Sequence, residues 1–281
     1  MSAWTPLSGG RPHRLSLGVA LGATDVGPVR DSNEDNFLID ESLGLAMVAD
    51  GMGGHAAGEV ASAGALQALC DYLHRHADAA MRQHGSDDAD ATWSDPTMRA
   101  VGLLYDAIDF ANHGLYAQNL ARNCPEGGGM GTTLCGFWHP PGDAALVLFN
   151  VGDSRLYRQR DGRLEQLTRD QTLYQQALEA GVIDHLPARN LLLQAVGPSP
   201  HITPEVRSQL PLPGDVLMLC SDGLHGAVPH GEIEQVLAGA TAATLDAACA
   251  RLIALAKQYG GRDNITVLLT WCDPFQTLQG G

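Results

Sequence analysis

The sequence is short of basic residues. Its 281 residues include 17 Lys and Arg against 32 Asp and Glu, which gives a formal net charge of −15 at pH 7. Because phosphate backbones and anionic lipids repel an acidic surface, we expect neither nucleic acid nor a membrane as a partner. The sequence also lacks a run of about 18 apolar residues, the length that a transmembrane helix requires.

Paired cysteines and a signal peptide are also missing. The six cysteines include no CxxC pair, and Cys135, Cys220 and Cys272 fall in apolar runs, as small buried hydrophobic residues do. This usage is typical of a reducing compartment. Residues 1–14 contain no apolar stretch of the kind that a signal peptide needs. We therefore expect a soluble, cytoplasmic protein with a flexible N-terminal segment at 1–14.

Several common binding motifs are absent. The glycine-rich segments 51–54 and 127–131 lack the GxxxxGK[ST] pattern, and the second precedes a predicted strand, which disfavours nucleotide binding. There is no DxDxDG loop to indicate calcium. Without a CxxC or HExxH pattern, the sequence does not favour zinc.

Four aspartates stand at the ends of apolar segments. The runs LAMVA, LVLFNV and VLMLC lead into Asp50, Asp153 and Asp222, and Asp263 opens DNITVLLT. A glycine adjoins three of the four, and glycine lets the backbone approach a bound group. If the four ends converge, the carboxylates raise one another's pKa. Hard divalent cations relieve such repulsion, so we predict a magnesium or manganese site.

The order of elements predicts an α+β fold. We expect strands at 15–25, 36–39, 45–49, 132–138, 143–151, 154–159, 163–167, 202–210, 211–220 and 264–272, and helices at 56–82, 97–122, 172–180, 231–238 and 244–259. Asp161-Gly162 predicts a hairpin turn. Hairpin strands and paired helices disfavour a doubly wound parallel sheet. The expected architecture is a four-layer α-β-β-α sandwich, two antiparallel sheets flanked by helix pairs.

Seven motifs resemble, in order, those of the metal-dependent serine/threonine protein phosphatases of type 2C, the PPM family, in their compact bacterial form. They are TDVGPVRDSNED, VADGMGGH, GMGTTL, NVGDSR, RNLLLQAVG, LCSDGL and GGRDN. The likeness runs from about Gly18 to Thr270. It implies one catalytic domain over 15–272, with a substrate-selecting flap at about 170–200, a tail at 273–281, and a metal site at one edge of the sandwich.

The resemblance also implies a ligand set for two Mn²⁺ or Mg²⁺ ions. Asp50 resembles the carboxylate that bridges the two ions. Gly51 resembles the residue whose carbonyl binds the second ion, and Asp222 and Asp263 match the other ligands of the first. Asp153, together with Asp222, matches a third metal position seen in bacterial members.

Three further residues complete the implied site. Asp35 and the neighbouring Glu34 resemble the pair that acts through coordinated waters. Arg30, five residues before Asp35, matches the phosphate-binding arginine. A guanidinium fork suits two phosphate oxygens and offsets the negative charge that grows during the reaction. Arg30 and Asp50 are therefore the predicted catalytic residues.

The expected reaction is hydrolysis of phosphoserine and phosphothreonine in proteins, opposing a Ser/Thr kinase in signalling. Two cations about 3.5–4 Å apart share a water and lower its pKa, and the hydroxide attacks phosphorus in line without a protein nucleophile. Phosphoproteins are the expected partners of a monomer. Two alternatives remain: a phosphoprotein-binding regulatory module with little catalysis, and a phosphatase of small phosphorylated metabolites.

Four positions depart from the family pattern or are unusual. Met52 stands where many eukaryotic members have a His proposed as general acid, and it has no proton to donate. His55 is a weaker candidate for that role than a metal-bound water. Gln171 replaces the His of many bacterial members, which leaves substrate preference open. His225 is expected only to shape its turn.

Overall fold

The computed structural model describes residues 10–53, 57–82 and 95–273. The strands in these ranges are β1 (His13–Leu15), β2 (Gly18–Asp25), β3 (Asp35–Asp40), β4 (Leu45–Met52), β5 (Gly131–Thr132), β6 (Leu134–Trp138), β7 (Leu146–Val151), β8 (Arg155–Arg160), β9 (Arg163–Gln166), β10 (Glu205–Gln209), β11 (Val216–Cys220) and β12 (Ile265–Cys272). The helices are α1 (Ala57–Arg82), α2 (Pro96–Ala121), α3 (Leu173–Glu179), α4 (Asp222–His225), α5 (His230–Leu237) and α6 (Leu245–Gln258).

The strands form two antiparallel sheets. Sheet I has the order β1-β2-β12-β11-β8-β9, and sheet II has the order β10-β7-β6-β4-β3, with β5 added to β4. Sheet I and sheet II face each other through a shared apolar core that includes Phe37, Phe137 and Leu268. A strand in this position is covered on both faces, which explains why most of the strands are continuous apolar runs and do not alternate.

Helices cover the outer face of each sheet. α1 and α2 pack on sheet II through a cluster that includes Leu66, Leu104 and Trp138. α5 and α6 pack on sheet I around Met218, Leu252 and Leu269. The predicted four-layer α-β-β-α sandwich is confirmed. No helix in the described ranges is both long and apolar enough to cross a membrane.

Local signals set several element boundaries as predicted. The Asp161-Gly162 turn joins β8 to β9 with both residues at positive φ, 51° and 77°, the geometry of the tight hairpin turn. α2 begins after Asp95, whose side chain accepts a hydrogen bond from the Thr97 N–H, with Pro96 in the first turn. β10 lies at the edge of sheet II, and β11 lies inside sheet I between β12 and β8.

The structure corrects several predicted boundaries, and strand pairing or hydrogen bonds explain three of them. β1 starts at His13, inside the segment 1–14 predicted to be flexible, because it pairs with β2; residues 1–9 lie outside the described ranges. Asp273, predicted to open the tail, donates its N–H to the Leu17 carbonyl at 3.0 Å. β7 starts at Leu146 and not at 143, because the Ala145 N–H donates to the Thr97 hydroxyl and not to a strand.

The segment predicted as a flap, 170–200, is attached at both ends. At the near end, the Gln171 N–H donates to the Gly152 carbonyl at 2.9 Å. At the far end, α2 contributes two buried asparagines. Asn119 exchanges hydrogen bonds with the N–H and carbonyl of Met130 and donates to the Gly197 carbonyl, while Asn112 accepts from the Gly197 N–H. These bonds set where the segment returns to sheet II.

Candidate active site

Two predicted carboxylates face each other on adjacent strands of sheet II. The antiparallel register of β3 and β4 pairs Asp35 directly with Asp50. The backbone of Asp50 is held by the next segment: its N–H donates to the Thr133 hydroxyl at 2.9 Å, and its carbonyl accepts from the Thr133 N–H and the Thr132 hydroxyl at the same distance. The Asp50 backbone therefore has little freedom to move.

Sheet I brings two more carboxylates to the same edge. Asp222 opens α4 just after β11, and Asp263 lies just before β12. A Cβ on Gly223 would lie 1.9 Å from the carbonyl oxygen of Asn264. Only glycine therefore allows the first turn of α4 to pack against the loop that carries Asp263.

One cavity of about 770 Å³ receives these carboxylates. Seven of the eight predicted site residues line it: Arg30, Glu34, Asp50, Gly51, Asp153, Asp222 and Asp263. The eighth, Asp35, is 3% exposed and pairs with Asp50 on the adjacent strand. The structure thus brings together all eight predicted site residues.

Burial and mutual repulsion raise the pKa of these carboxyls. Burial lifts the pKa of Asp50 well above its usual value, and the charges of Asp35, Asp222 and Asp153 add to the effect. Burial raises the pKa of Asp35 to about 7, against a hydrogen bond from Ser221 that lowers it. The pKa of Asp153 also rises to about 7, through burial and then the charge of Asp222. Such a cluster needs positive charge to be ionised at neutral pH.

Two carboxylate oxygens show what the site requires. Oδ1 of Asp35 and Oδ1 of Asp222 are buried and find no hydrogen-bond partner among the described residues. The other oxygen of Asp35 is satisfied, because the Ser221 hydroxyl donates to Oδ2 at 2.6 Å. Buried polar atoms without a partner are rare, since each costs about 1–3 kcal/mol. An all-oxygen donor set with free lone pairs fits a hard divalent cation.

Arg30 lies on an exposed loop at the cavity mouth. Its guanidinium donates to Oδ2 of Asp263 at 2.7 Å, and the side chain is 53% exposed. Asn264 holds this loop in place: its Nδ2 donates to the carbonyls of Val26 and Ser32, and its Oδ1 accepts from the Glu34 N–H. The loop before β3 is therefore anchored to the loop before β12.

Glu34 and Gly51 meet at the start of α1. The Gly51 N–H donates to the Glu34 carbonyl at 3.2 Å, which brings the two backbones together. A Cβ on Gly51 would lie 2.1 Å from the Gly58 carbonyl oxygen, and a Cβ on Gly58 would lie 2.2 Å from Glu34 Oε2. Two glycines thus let the Glu34 carboxylate and α1 pack closely beside Asp50.

The turn that carries Asp153 is held by two unusual residues. His225 donates from Nε2 to the Asp153 carbonyl at 3.0 Å, and burial lowers the pKa of His225 to about 3, so the ring is neutral. The side-chain carbonyl of Gln171 accepts from the Gly152 N–H at 2.8 Å and from Gln194 at 2.9 Å. His225 does more than shape its own turn, and Gln171 links the Asp153 turn to the flap.

Sequence reasoning missed the residues that position the carboxylates. Thr132 and Thr133 hold Asp50, Ser221 orients Asp35, and Asn264 anchors the Arg30 loop. Each is a small polar residue directly beside an apolar run, but this position alone does not show which distant group the side chain contacts. Met52, which stands where many eukaryotic members have a His, lines the cavity, and His55, the side chain weighed as general acid, lies outside the described residues.

Comparison with known proteins identifies the family. The sequence profile of Protein phosphatase 2C matches residues 29–266. The chain belongs to this family. The serine/threonine phosphatase stp of Listeria innocua is 35% identical to this chain over 257 residues, covering 88% of this chain and 92% of the Listeria protein. The family and enzyme class predicted from the motifs are confirmed.

Solved structures of protein phosphatase 2C relatives share the fold. The PPM Ser-Thr phosphatase MsPP from Mycobacterium smegmatis, in complex with cacodylate, matches with a TM-score of 0.72 at 33% identity, covering 90% of this chain and 97% of that one. The catalytic domain of the serine/threonine phosphatase PstP, in complex with two manganese ions, gives 0.70 at 32% identity, with 90% and 97% coverage.

Proposed function

We propose that this chain hydrolyses phosphoserine and phosphothreonine esters in proteins, with two Mn²⁺ or Mg²⁺ ions at the Asp50 site. The observation that carries the proposal is the pair of buried oxygens, on Asp35 and Asp222, that find no hydrogen-bond partner in the part of the chain that the structure describes, beside a half-exposed arginine. The named serine/threonine phosphatases among its relatives, one of them solved with two manganese ions, support the same assignment.

The chain's own residues hold and orient this site. Asp50, Asp222 and Asp263 would be the direct carboxylate ligands, and Gly51 would supply a carbonyl. Asp35 and Glu34 would act through water, and the Ser221 hydroxyl orients the Asp35 carboxylate by donating to its Oδ2. Asp153 would serve a third ion. Bound divalent cations supply Lewis acidity and lower the pKa of water, so that it attacks phosphorus at neutral pH.

Arg30 binds the phosphoryl group. Its guanidinium lines the cavity and stays half exposed, so a phosphate monoester can reach it from solvent. Charge-assisted hydrogen bonds from a planar fork suit the oxygens of the transferred group and stabilise its growing negative charge. No histidine of the described residues lines this cavity.

The open cavity suits a protein substrate. Leu173, Asn190, Leu191 and Leu192 of the flap line this cavity, and so does Val29 of the Arg30 loop. Apolar and amide groups around an acidic centre contact peptide flanks as well as the phosphate. We therefore propose phosphoproteins as substrates. We also propose a Ser/Thr kinase as the opposing enzyme and a cytoplasmic monomer as the working form.

A substrate panel tests this function. Phosphoserine and phosphothreonine peptides, sugar phosphates and an aryl phosphate are assayed with Mn²⁺, with Mg²⁺ and with a chelator. The proposal expects metal-dependent release of phosphate from the peptides at a kcat/KM well above that for sugar phosphates. A preference for sugar phosphates would favour the metabolite phosphatase. Peptide binding without turnover, in the presence of either metal, would favour the regulatory module.

A further inference from the structure

A second cluster of ligand side chains lies at the opposite end of β3. Asp35 begins this strand at the active site, and Asp40 ends it. The Asp40 side chain meets Cys70 and His74, which are four residues apart on α1 and so project from the same face of the helix. One ligand atom from each of the three residues lies within 4.8 Å of the other two.

Of two separations within the cluster, one already matches that of ligands around a tetrahedral ion, and the other is shorter by about 0.6 Å. Cys70 Sγ lies 3.6 Å and His74 Nε2 lies 2.7 Å from Asp40 Oδ2. Zinc bonds of about 2.3 Å to sulfur and about 2.0 Å to oxygen or nitrogen place S and O about 3.5 Å apart and N and O about 3.3 Å apart. The sulfur already has this spacing. The imidazole, with its side chain 46% exposed, is free to move outward.

The carboxylate of Asp40 is oriented in advance. Its Oδ1 accepts hydrogen bonds from the Ser42 N–H at 3.0 Å, the Ser42 hydroxyl at 2.7 Å and the Leu43 N–H at 2.9 Å. These bonds leave Oδ2 facing Cys70 and His74. Hydrogen bonds of this kind fix the orientation of ligands in metal sites. Although burial acts to raise it, the pKa of Asp40 is lowered by these bonds and by His74.

Access and charge also suit a cation. Cys70 is 4% exposed at the base of the cluster, while His74 and Asp40 reach solvent. Burial and then the Asp40 charge raise the pKa of the Cys70 thiol to about 12, so the metal-free thiol is protonated. A divalent ion would replace that proton: the S–H bond breaks, a metal–sulfur bond forms, and the proton passes to solvent.

We propose that Asp40, Cys70 and His74 form a second metal site, which binds one Zn²⁺ ion with water as fourth ligand. Thiolate and imidazole ligands select zinc over magnesium and manganese, whereas the active site offers oxygen alone. The ion would fasten the turn after β3 to α1, the helix whose first turn packs beside Gly51 and Glu34. The site is independent of the proposed phosphatase activity.

Cobalt(II) tests this site without an activity assay. Purified protein is titrated with Co²⁺ in excess Mg²⁺, which occupies the oxygen site, and the absorption is recorded. We expect one equivalent of Co²⁺ to give a thiolate-to-cobalt charge-transfer band with the intense visible bands of tetrahedral geometry, and one equivalent of Zn²⁺ to remove them. Absence of the charge-transfer band in the wild type would overturn the proposal.

Variants test which residues produce the charge-transfer band. Cys70→Ser is expected to abolish it, and His74→Gln, at an exposed position that does not threaten folding, is expected to weaken Co²⁺ binding at least about tenfold. Cys124→Ser and His76→Gln are the matched controls, since Cys124 is partly exposed and His76 lies on α1, both outside the cluster. A band that survives Cys70→Ser, or affinity unchanged in His74→Gln, would contradict the site.

Discussion

Arg30 donates a hydrogen bond of 2.7 Å to Oδ2 of Asp263, a residue 233 positions further along the chain. The contact joins the loop before β3 in sheet II to the loop before β12 in sheet I. The group proposed to bind phosphate therefore lies against a group proposed to bind metal. Because Asn264 anchors the same loop through three other hydrogen bonds, the loop does not depend on Arg30 for its position.

Arg30→Ala should therefore impair substrate binding without unfolding the protein. Charged hydrogen bonds are worth about 1.5–3 kcal/mol, so we expect kcat/KM for a phosphopeptide to fall about 10–100-fold, mainly through a higher KM. Arg30→Lys keeps the positive charge but loses the forked guanidinium, so its kcat/KM should lie between those of the wild type and Arg30→Ala. Steady-state kinetics and thermal unfolding measure both effects. A KM equal to that of the wild type in Arg30→Ala would contradict the phosphate-binding role.

Asp50→Asn should abolish turnover and leave the fold intact. The change keeps the side-chain volume but removes the charge at the centre of the cluster. It also removes a carboxyl whose pKa is raised by burial and by the charges of its neighbours, so the metal-free variant should be at least as stable as the metal-free wild type. Calorimetric Mn²⁺ titration, phosphopeptide assays and urea unfolding test this. Asp106→Asn, at an exposed position on α2, is the control that should change nothing.

The metal-free protein should become more stable as the pH falls from about 7 towards 4. Asp153 has a pKa of about 7 in the folded state against 3.8 as its ordinary value, so the folded state binds more protons in this window. The stabilisation is complete below the unfolded pKa and is lost as pH rises through 7. Urea midpoints in chelator at several pH values measure it.

Asp153→Asn isolates this contribution. The variant cannot titrate at this position. On acidification, its urea midpoint should therefore rise less than that of the wild type. His225 acts in the opposite sense, because its folded pKa of about 3 lies below the ordinary 6.5 and the unfolded state takes up the proton first. Because the wild type and Asp153→Asn both contain His225, its contribution cancels when their pH profiles are compared. Parallel profiles would show that burial does not raise the pKa of Asp153.

The layers and the site's acidic residues could be predicted because each leaves a local pattern. Apolar runs that end in Asp50, Asp153 and Asp222 mark both the buried strands and the ligands at their ends. Asp161-Gly162 requires positive φ, and that requirement fixed the hairpin. In these cases one segment contains the whole physical cause.

The supporting contacts could not be predicted, because each depends on two distant segments. Nothing near Ser221 in the chain shows that its hydroxyl meets Asp35, 186 positions away, or that Asn264 holds the Arg30 loop. The start of β7 could not be predicted for the same reason, because it depends on the Thr97 hydroxyl of α2. The sequence did not predict the Asp40–Cys70–His74 cluster either, because its residues come from a strand and a helix and form no compact motif.

Gly223→Ala should separate Asp222 from Asp263. The added Cβ would lie 1.9 Å from the Asn264 carbonyl oxygen, a backbone atom that cannot rotate away, so α4 must shift. We expect a loss of about 1–3 kcal/mol in the free energy of unfolding. Mn²⁺ affinity should also fall, because the two carboxylates no longer converge. Urea unfolding and calorimetric titration measure the two effects.

Gly231→Ala is the matched control for this change. Gly231 lies in the first turn of α5, and a Cβ there meets nothing within 4 Å. Alanine suits a helix better than glycine by about 1 kcal/mol at most, so the control should be as stable as the wild type or slightly more stable, with unchanged Mn²⁺ affinity. If Gly223→Ala also bound Mn²⁺ as the wild type does, close packing of α4 on the Asp263 loop would not be what assembles the site.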